Sequence, residues 1–124
     1  MFTHIHFQSI PVADAERALA FYRDMLGLVV HTDAAYDYGP HGRWIFMQIP
    51  DGETMLHFGG PRDGAPPTAP NLVLVTKDVD ATCETLRARG VTIASGPEDA
   101  PWDPGNRWAI INDPDQNMIL IQSV

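Results

Sequence analysis

The chain has 124 residues, 44% of them apolar, and carries 16 acidic against 8 basic side chains for a formal net charge of −8. That balance excludes a disordered chain and argues against nucleic acid or an anionic membrane surface as a partner. Cys83 is the only cysteine, so no internal disulfide can form and a reducing compartment fits. The opening MFTHIHFQ lacks a charged leader, and no run nears the ~18 apolar residues of a membrane span, so the expected location is the cytoplasm. The length predicts a single domain over residues 1–124.

Residues 3–10 alternate as a half-buried strand, with His4, His6 and Gln8 on one side and Ile5 and Phe7 on the other. Pro11 forces a bulge or an edge position. Asp14 stands where a helix N-cap would, and Ala18, Leu19, Tyr22, Met25 and Leu26 recur at helical spacing up to the stop at Gly27. A second strand is predicted over 28–35. A third runs over 43–49, with Trp44, Phe46 and Gln48 on one face and Ile45, Met47 and Ile49 on the other. Asp51-Gly52 is a hairpin turn signal, and Met55–Phe58 is the fourth strand. The stretch 59–70, GGPRDGAPPTAP, is too rich in Pro and Gly for regular structure and reads as a linker. The order then repeats. A strand is predicted over 71–75, an N-cap at Asp78, a helix with Val79, Cys83 and Leu86 inward, and a stop at Gly90. A strand over 91–94, a polar loop over 97–106 carrying Trp102, and a hairpin from Arg107 to Ile121 complete the chain.

The two hairpins are related. RWIFMQIPDGETMLHF at 43–58 and RWAIINDPDQNMILIQ at 107–122 share Arg-Trp, Pro-Asp and a leucine at one offset, 107 − 43 = 64, which also relates Asp14 to Asp78. A duplication is therefore expected, with repeats 1–58 and 71–124 joined by linker 59–70. Each repeat reads β-α-β-β-β. The predicted fold is α+β: two βαβββ modules in tandem, pseudo-two-fold, whose mixed sheets curl around a cavity.

With these elements in place, the chain resembles the vicinal oxygen chelate superfamily, also called the glyoxalase, bleomycin-resistance and dioxygenase superfamily. The resemblance lies in IPVADAERALAFYRDMLGL, in the RWIFMQIPDGETMLHF hairpin and in the closing DPDQNMILI. Metal-dependent members of that family take one His or Glu from the first and fourth strand of each half, and the metal acts as a Lewis acid. Carried onto this chain, the first position falls on Phe7, or on His6 if Pro11 bulges the strand. The second falls on Leu56, or on His57 if the turn holds one extra residue. The third falls on Asn71 and the fourth on Leu120. Leucine cannot ligate and an asparagine amide is a weak donor, so no complete metal site is expected. A divalent metal would have His6 and His57 alone. The resemblance also implies a homodimer, since members of this length commonly place the cavity between modules of two chains.

The resulting reading is a small-molecule-binding protein without a complete four-ligand metal site. Its expected ligand-lining residues are Gln8, Trp44, Phe46, Trp102 and Trp108, with no cofactor, nucleic acid or membrane partner. A lyase, isomerase or dioxygenase with a nonstandard site at His6 and His57 is the alternative, and an interaction module with a filled cavity is a third class. Arg43 and Arg107, beside their tryptophans, are expected on the surface, and Cys83 is expected in the core.

Overall fold

The computed structural model describes residues 1–124, which form two compact units, 1–65 and 66–124. In the first unit β1 (Phe7–Pro11) is followed by α1 (Ala15–Leu19), β2 (Val29–Ala35), β3 (Arg43–Gln48) and β4 (Met55–Gly59). In the second, β5 (Leu72–Val75) is followed by α2 (Val79–Ala88), β6 (Ile93–Asp99), β7 (Arg107–Asn112) and β8 (Met118–Gln122). Each unit is a mixed four-stranded sheet, in the order β1-β4-β3-β2 or β5-β8-β7-β6, with the first and fourth strands parallel. The α+β tandem βαβββ pattern read from the sequence is the one observed.

Both helices begin where the sequence placed them. The Asp14 carboxylate accepts the Arg17 amide hydrogen at 3.1 Å, and the Asp78 carboxylate accepts that of Ala81 at 2.9 Å. Each bond satisfies an amide in the first turn that has no intrahelical partner. The predicted helix 15–26 is not uniform. After Leu19 it widens into a π-helical stretch, Ala20–Met25, in which the Leu26 amide reaches back to Phe21 at 3.0 Å. The wider turns accompany the burial of two adjacent aromatics, Phe21 and Tyr22, whose rings lie 5.1 Å apart.

Alternation along the strands places each core on the helix side of its sheet. In the first unit Ile10, Ile45, Met47, Leu56 and Phe58 are buried there, and Tyr22 meets Phe58 with ring centroids 5.7 Å apart. In the second, Ala109, Ile111, Ile119 and Ile121 lie on the side where α2 buries Val79, Cys83 and Leu86. Cys83 is a core residue, and burial raises its thiol pKa above the ordinary value. An arginine at the start of the third strand ties the first turn of each helix to the sheet. Arg43 binds Glu16 at 2.5 Å and Asp33 at 2.6 Å; Arg107 binds Asp80 at 2.6 Å and Asp99 at 2.9 Å. These exposed pairs set orientation more than stability.

Three sequence expectations are corrected. Strand β1 begins at Phe7, so residues 3–6 precede the sheet. Strand β6 extends to Asp99, taking in residues assigned to the polar loop, through irregular pairing with β7 that skips between Ser95 and Glu98. The repeat offset also does not hold through the hairpin turn. Phe46 pairs with His57, while Ile110, 64 residues further on, pairs with Leu120. Since 120 − 57 = 63, the first turn (49–54) is one residue longer than the second (113–117). The counterpart of Leu120 is therefore His57, not Leu56. The shorter turn is closed by a buried carboxylate: Asp113 accepts from the backbone amides of Asp115 (2.9 Å) and Asn117 (2.8 Å) and from the Asn117 side chain (2.7 Å).

Three substitutions test this account. At Gly96 (φ 77°) an added Cβ would stand 2.6 Å from the Trp108 carbonyl oxygen, so β6 and β7 would have to part; at Gly27 (φ 81°) it would meet nothing within 4 Å. Gly27→Ala is expected to cost roughly 1 kcal/mol of left-handed strain, and Gly96→Ala clearly more, in denaturant unfolding. Asp113→Ala leaves three donors without their acceptor and is expected to destabilise by roughly 2–4 kcal/mol, read from the urea midpoint at unchanged m-value.

Candidate functional site

The face of the first sheet opposite its helix is aromatic. Alternation puts Phe7 and Ser9 of β1, Trp44 and Phe46 of β3 and His57 of β4 on that side. At its centre, the His57 ring lies 4.2 Å from Trp44 and 5.6 Å from both Phe7 and Phe46, centroid to centroid. Phe7 meets Phe46 at 5.0 Å, and Trp44 meets Tyr36 at 5.7 Å. Tyr36, Trp44, Ala34 and Ala35 line an apolar groove of about 330 Å³.

His57 is 4% exposed. Its Nδ1 shares a 2.8 Å hydrogen bond with the Ser9 hydroxyl, and its Nε2 is buried without a hydrogen-bond partner. Burial pushes the imidazole pKa below its ordinary value, and repulsion from His41 adds to the effect. His41 is itself held through Nε2 by the Gly59 carbonyl at 3.0 Å.

The face of the second sheet opposite α2 carries Val73, Trp108, Ile110 and Leu120. Trp108 lies 6.2 Å from Trp102, and its indole N–H is buried without a hydrogen-bond partner. Of the residues singled out in the sequence, Trp44 and Phe46 thus come together in the first unit, and Trp102 and Trp108 in the second. Gln8 shares its side of β1 with the buried Ile10, across the strand from Phe7 and Ser9, and is exposed. Sequence reading did not assign Ser9, Tyr36 or a ligand-lining role to Phe7. The signal was available, since Phe7 and Ser9 are two apart, as are Trp44 and Phe46, and a two-residue period shares one face.

Pairing from Phe7 to Pro11 is continuous, so no bulge moves the first metal position to His6. The longer turn moves the second position from Leu56 to His57. The four positions therefore hold Phe7, His57, Asn71 and Leu120, and the Asn71 side-chain amide donates to Asn117 at 3.1 Å. One imidazole, one amide and two hydrocarbon side chains do not fit a divalent cation. No cluster of three or more His, Cys, Asp or Glu side chains forms elsewhere. His6 lies outside β1, is exposed, and contacts the rings of His4, Phe7 and Phe46 rather than that of His57.

Comparison with known proteins agrees with the geometry. The profile of the Glyoxalase/Bleomycin resistance protein/Dioxygenase superfamily matches residues 3–121. TnmS3, an antibiotic binding protein from Streptomyces sp. CB03234, is 35% identical with a TM-score of 0.82, over 98% of this chain and 96% of its own. A member of the same superfamily from Sphaerobacter thermophilus DSM 20745 is 31% identical, also with a TM-score of 0.82, over 99% of this chain and 98% of its own. Lactoylglutathione lyase from Agrobacterium tumefaciens shares the fold at 21% identity and a TM-score of 0.73, over 99% of this chain and 95% of its own. No curated protein sequence matches significantly.

The buried imidazole carries a pH signature. A base whose pKa is lowered by folding binds its proton more readily in the unfolded chain. Stability is then fully present above the ordinary histidine range and falls as pH drops through it. Between pH 7 and pH 5 the melting temperature is expected to fall more steeply for the native chain than for His57→Gln, measured by calorimetry at constant ionic strength. Parallel curves would remove His57 as the source.

Proposed function

The chain belongs to the glyoxalase/bleomycin resistance protein/dioxygenase superfamily, and on that footing we propose that it is a small-molecule-binding protein whose ligand is held by aromatic side chains rather than through a metal. The observation that carries this reading is the set Phe7, His57, Asn71 and Leu120, where the family's metal-dependent enzymes need anionic or imidazole donors. Without a polarising cation at those positions, the residues present can stack against and desolvate a ligand but lack the Lewis acid of the family's metal-dependent enzymes. An antibiotic binding protein among its relatives, at 35% identity over nearly the full length, supports the same class.

In this reading Trp44 and Phe46 are the ligand-holding residues of one unit and Trp102 and Trp108 those of the other, each unit taken by itself, with Phe7 added to the set and Gln8 left to a position on the opposite side of β1. Aromatic faces match flat, conjugated ligands, whose stacking does not depend on a particular pattern of hydrogen bonds. The net charge of −8 favours neutral or cationic compounds. No helix is long and apolar enough to cross a membrane. The proposal places the protein in the cytoplasm as a homodimer, without nucleic acid or membrane partners.

Thermal shift in the presence of planar aromatic antibiotics tests the reading. A ligand specific for the native state, at about 100 times its Kd, adds about 2.7 kcal/mol of stability and raises the melting temperature. Trp44→Ala is expected to reduce that shift, and EDTA to leave the ligand-free melting temperature unchanged. A melting temperature that falls with EDTA and recovers with one divalent cation would return the protein to the metal-dependent class. Sedimentation as a monomer at micromolar concentration would remove the dimer.

A further inference from the structure

We propose that His57 is the polar anchor of the ligand site, its Nε2 hydrogen-bonding a hydroxyl or carbonyl oxygen on a flat aromatic ligand that enters beside Trp44. The inference rests on the small-molecule reading above and specifies the ligand's chemistry. Nε2 is the one imidazole nitrogen left without a partner, and the three rings around it, Trp44, Phe7 and Phe46, supply none. A buried polar atom in this condition is the exception in folded proteins and calls for a partner. Packing alone does not require an imidazole here, because the equivalent register position in the second unit is Leu120.

Three features define the anchor. The Ser9 hydroxyl at 2.8 Å from Nδ1 holds the ring in one orientation, so Nε2 is aimed rather than free to rotate. His57 is 4% exposed, and a charged group is costly to bring out of water beside it, so the complementary group is an uncharged oxygen. Trp44 both covers His57 and borders the groove shared with Ala34, Ala35 and Tyr36. It is therefore the ring with adjacent space to move into. Its displacement uncovers Nε2 and leaves an indole face beside the ligand. A phenolic hydroxyl, which donates and accepts, satisfies Nε2 in either tautomer.

The probes are naphthalene and 2-naphthol, which differ by one hydroxyl, titrated calorimetrically into the full chain. 2-Naphthol is expected to bind about three- to tenfold tighter than naphthalene. In His57→Leu, which copies the residue at the equivalent position of the second unit, the two are expected to bind alike. On the native protein the nitrogen-15 resonance of His57 Nε2 is expected to shift with 2-naphthol and not with naphthalene, a measurement that needs no variant to fold. Equal binding of the two probes to the native chain, an unmoved Nε2 resonance, or a hydroxyl preference that survives in His57→Leu overturns the anchor alone. Binding of neither probe overturns the aromatic-ligand reading and the anchor with it.

Discussion

One helix covers only one face of a four-stranded sheet, and the rest of this structure follows from that constraint. In each unit the apolar stripe of the helix must be buried, and the strands supply every second residue to bury it. Once Ile10, Ile45, Met47, Leu56 and Phe58 have turned toward the first helix, their neighbours Phe7, Ser9, Trp44, Phe46 and His57 are committed to the other side. The aromatic face is thus a consequence of core formation, not a separate construction. The arginine bridges to Glu16 and to Asp80 repeat the same orientation in both units.

Turn length then selects which residue of the fourth strand enters that face. A slip of one residue along a strand exchanges its two sides. With six residues between β3 and β4, His57 faces Phe46 and Leu56 joins the core. With five residues between β7 and β8, held short by the Asp113 carboxylate, Leu120 takes the matching place and Ile119 and Ile121 are buried. A one-residue difference in the first hairpin therefore separates a face with an imidazole at its centre from one that is hydrocarbon there. The same difference leaves the family's four metal positions with a single good donor.

Much of the architecture was legible in the chain. The caps at Asp14 and Asp78, the alternation of 43–49 and the duplicated hairpin each rest on local rules, and each appears where those rules put it. The π-helical widening after Leu19 was not legible, because it accompanies the burial of Phe21 and Tyr22 and leaves the apolar spacing nearly helical. Nor was the extension of β6 through Gly-Pro, residues that normally end strands. In the site, the tryptophans were visible as types but not as pairs, since ring contacts depend on registers between strands.

The sequence by itself determined the fold class, the repeat and the poverty of the metal donor set, because Leu120 and Asn71 are what they are in any conformation. It left open whether Leu56 or His57 stood at the second position, whether Phe7 or His6 stood at the first, and which face Gln8 took. Only the tertiary structure decided these. Strand register is set by pairing with neighbours distant in sequence, and a slip of one residue reverses every side chain without changing the local pattern from which a strand is read. The same holds for the state of His57. Its lowered pKa and unpaired Nε2 come from burial among Phe7, Trp44 and Phe46, which lie on β1 and β3 and which only folding brings within 6 Å of the imidazole.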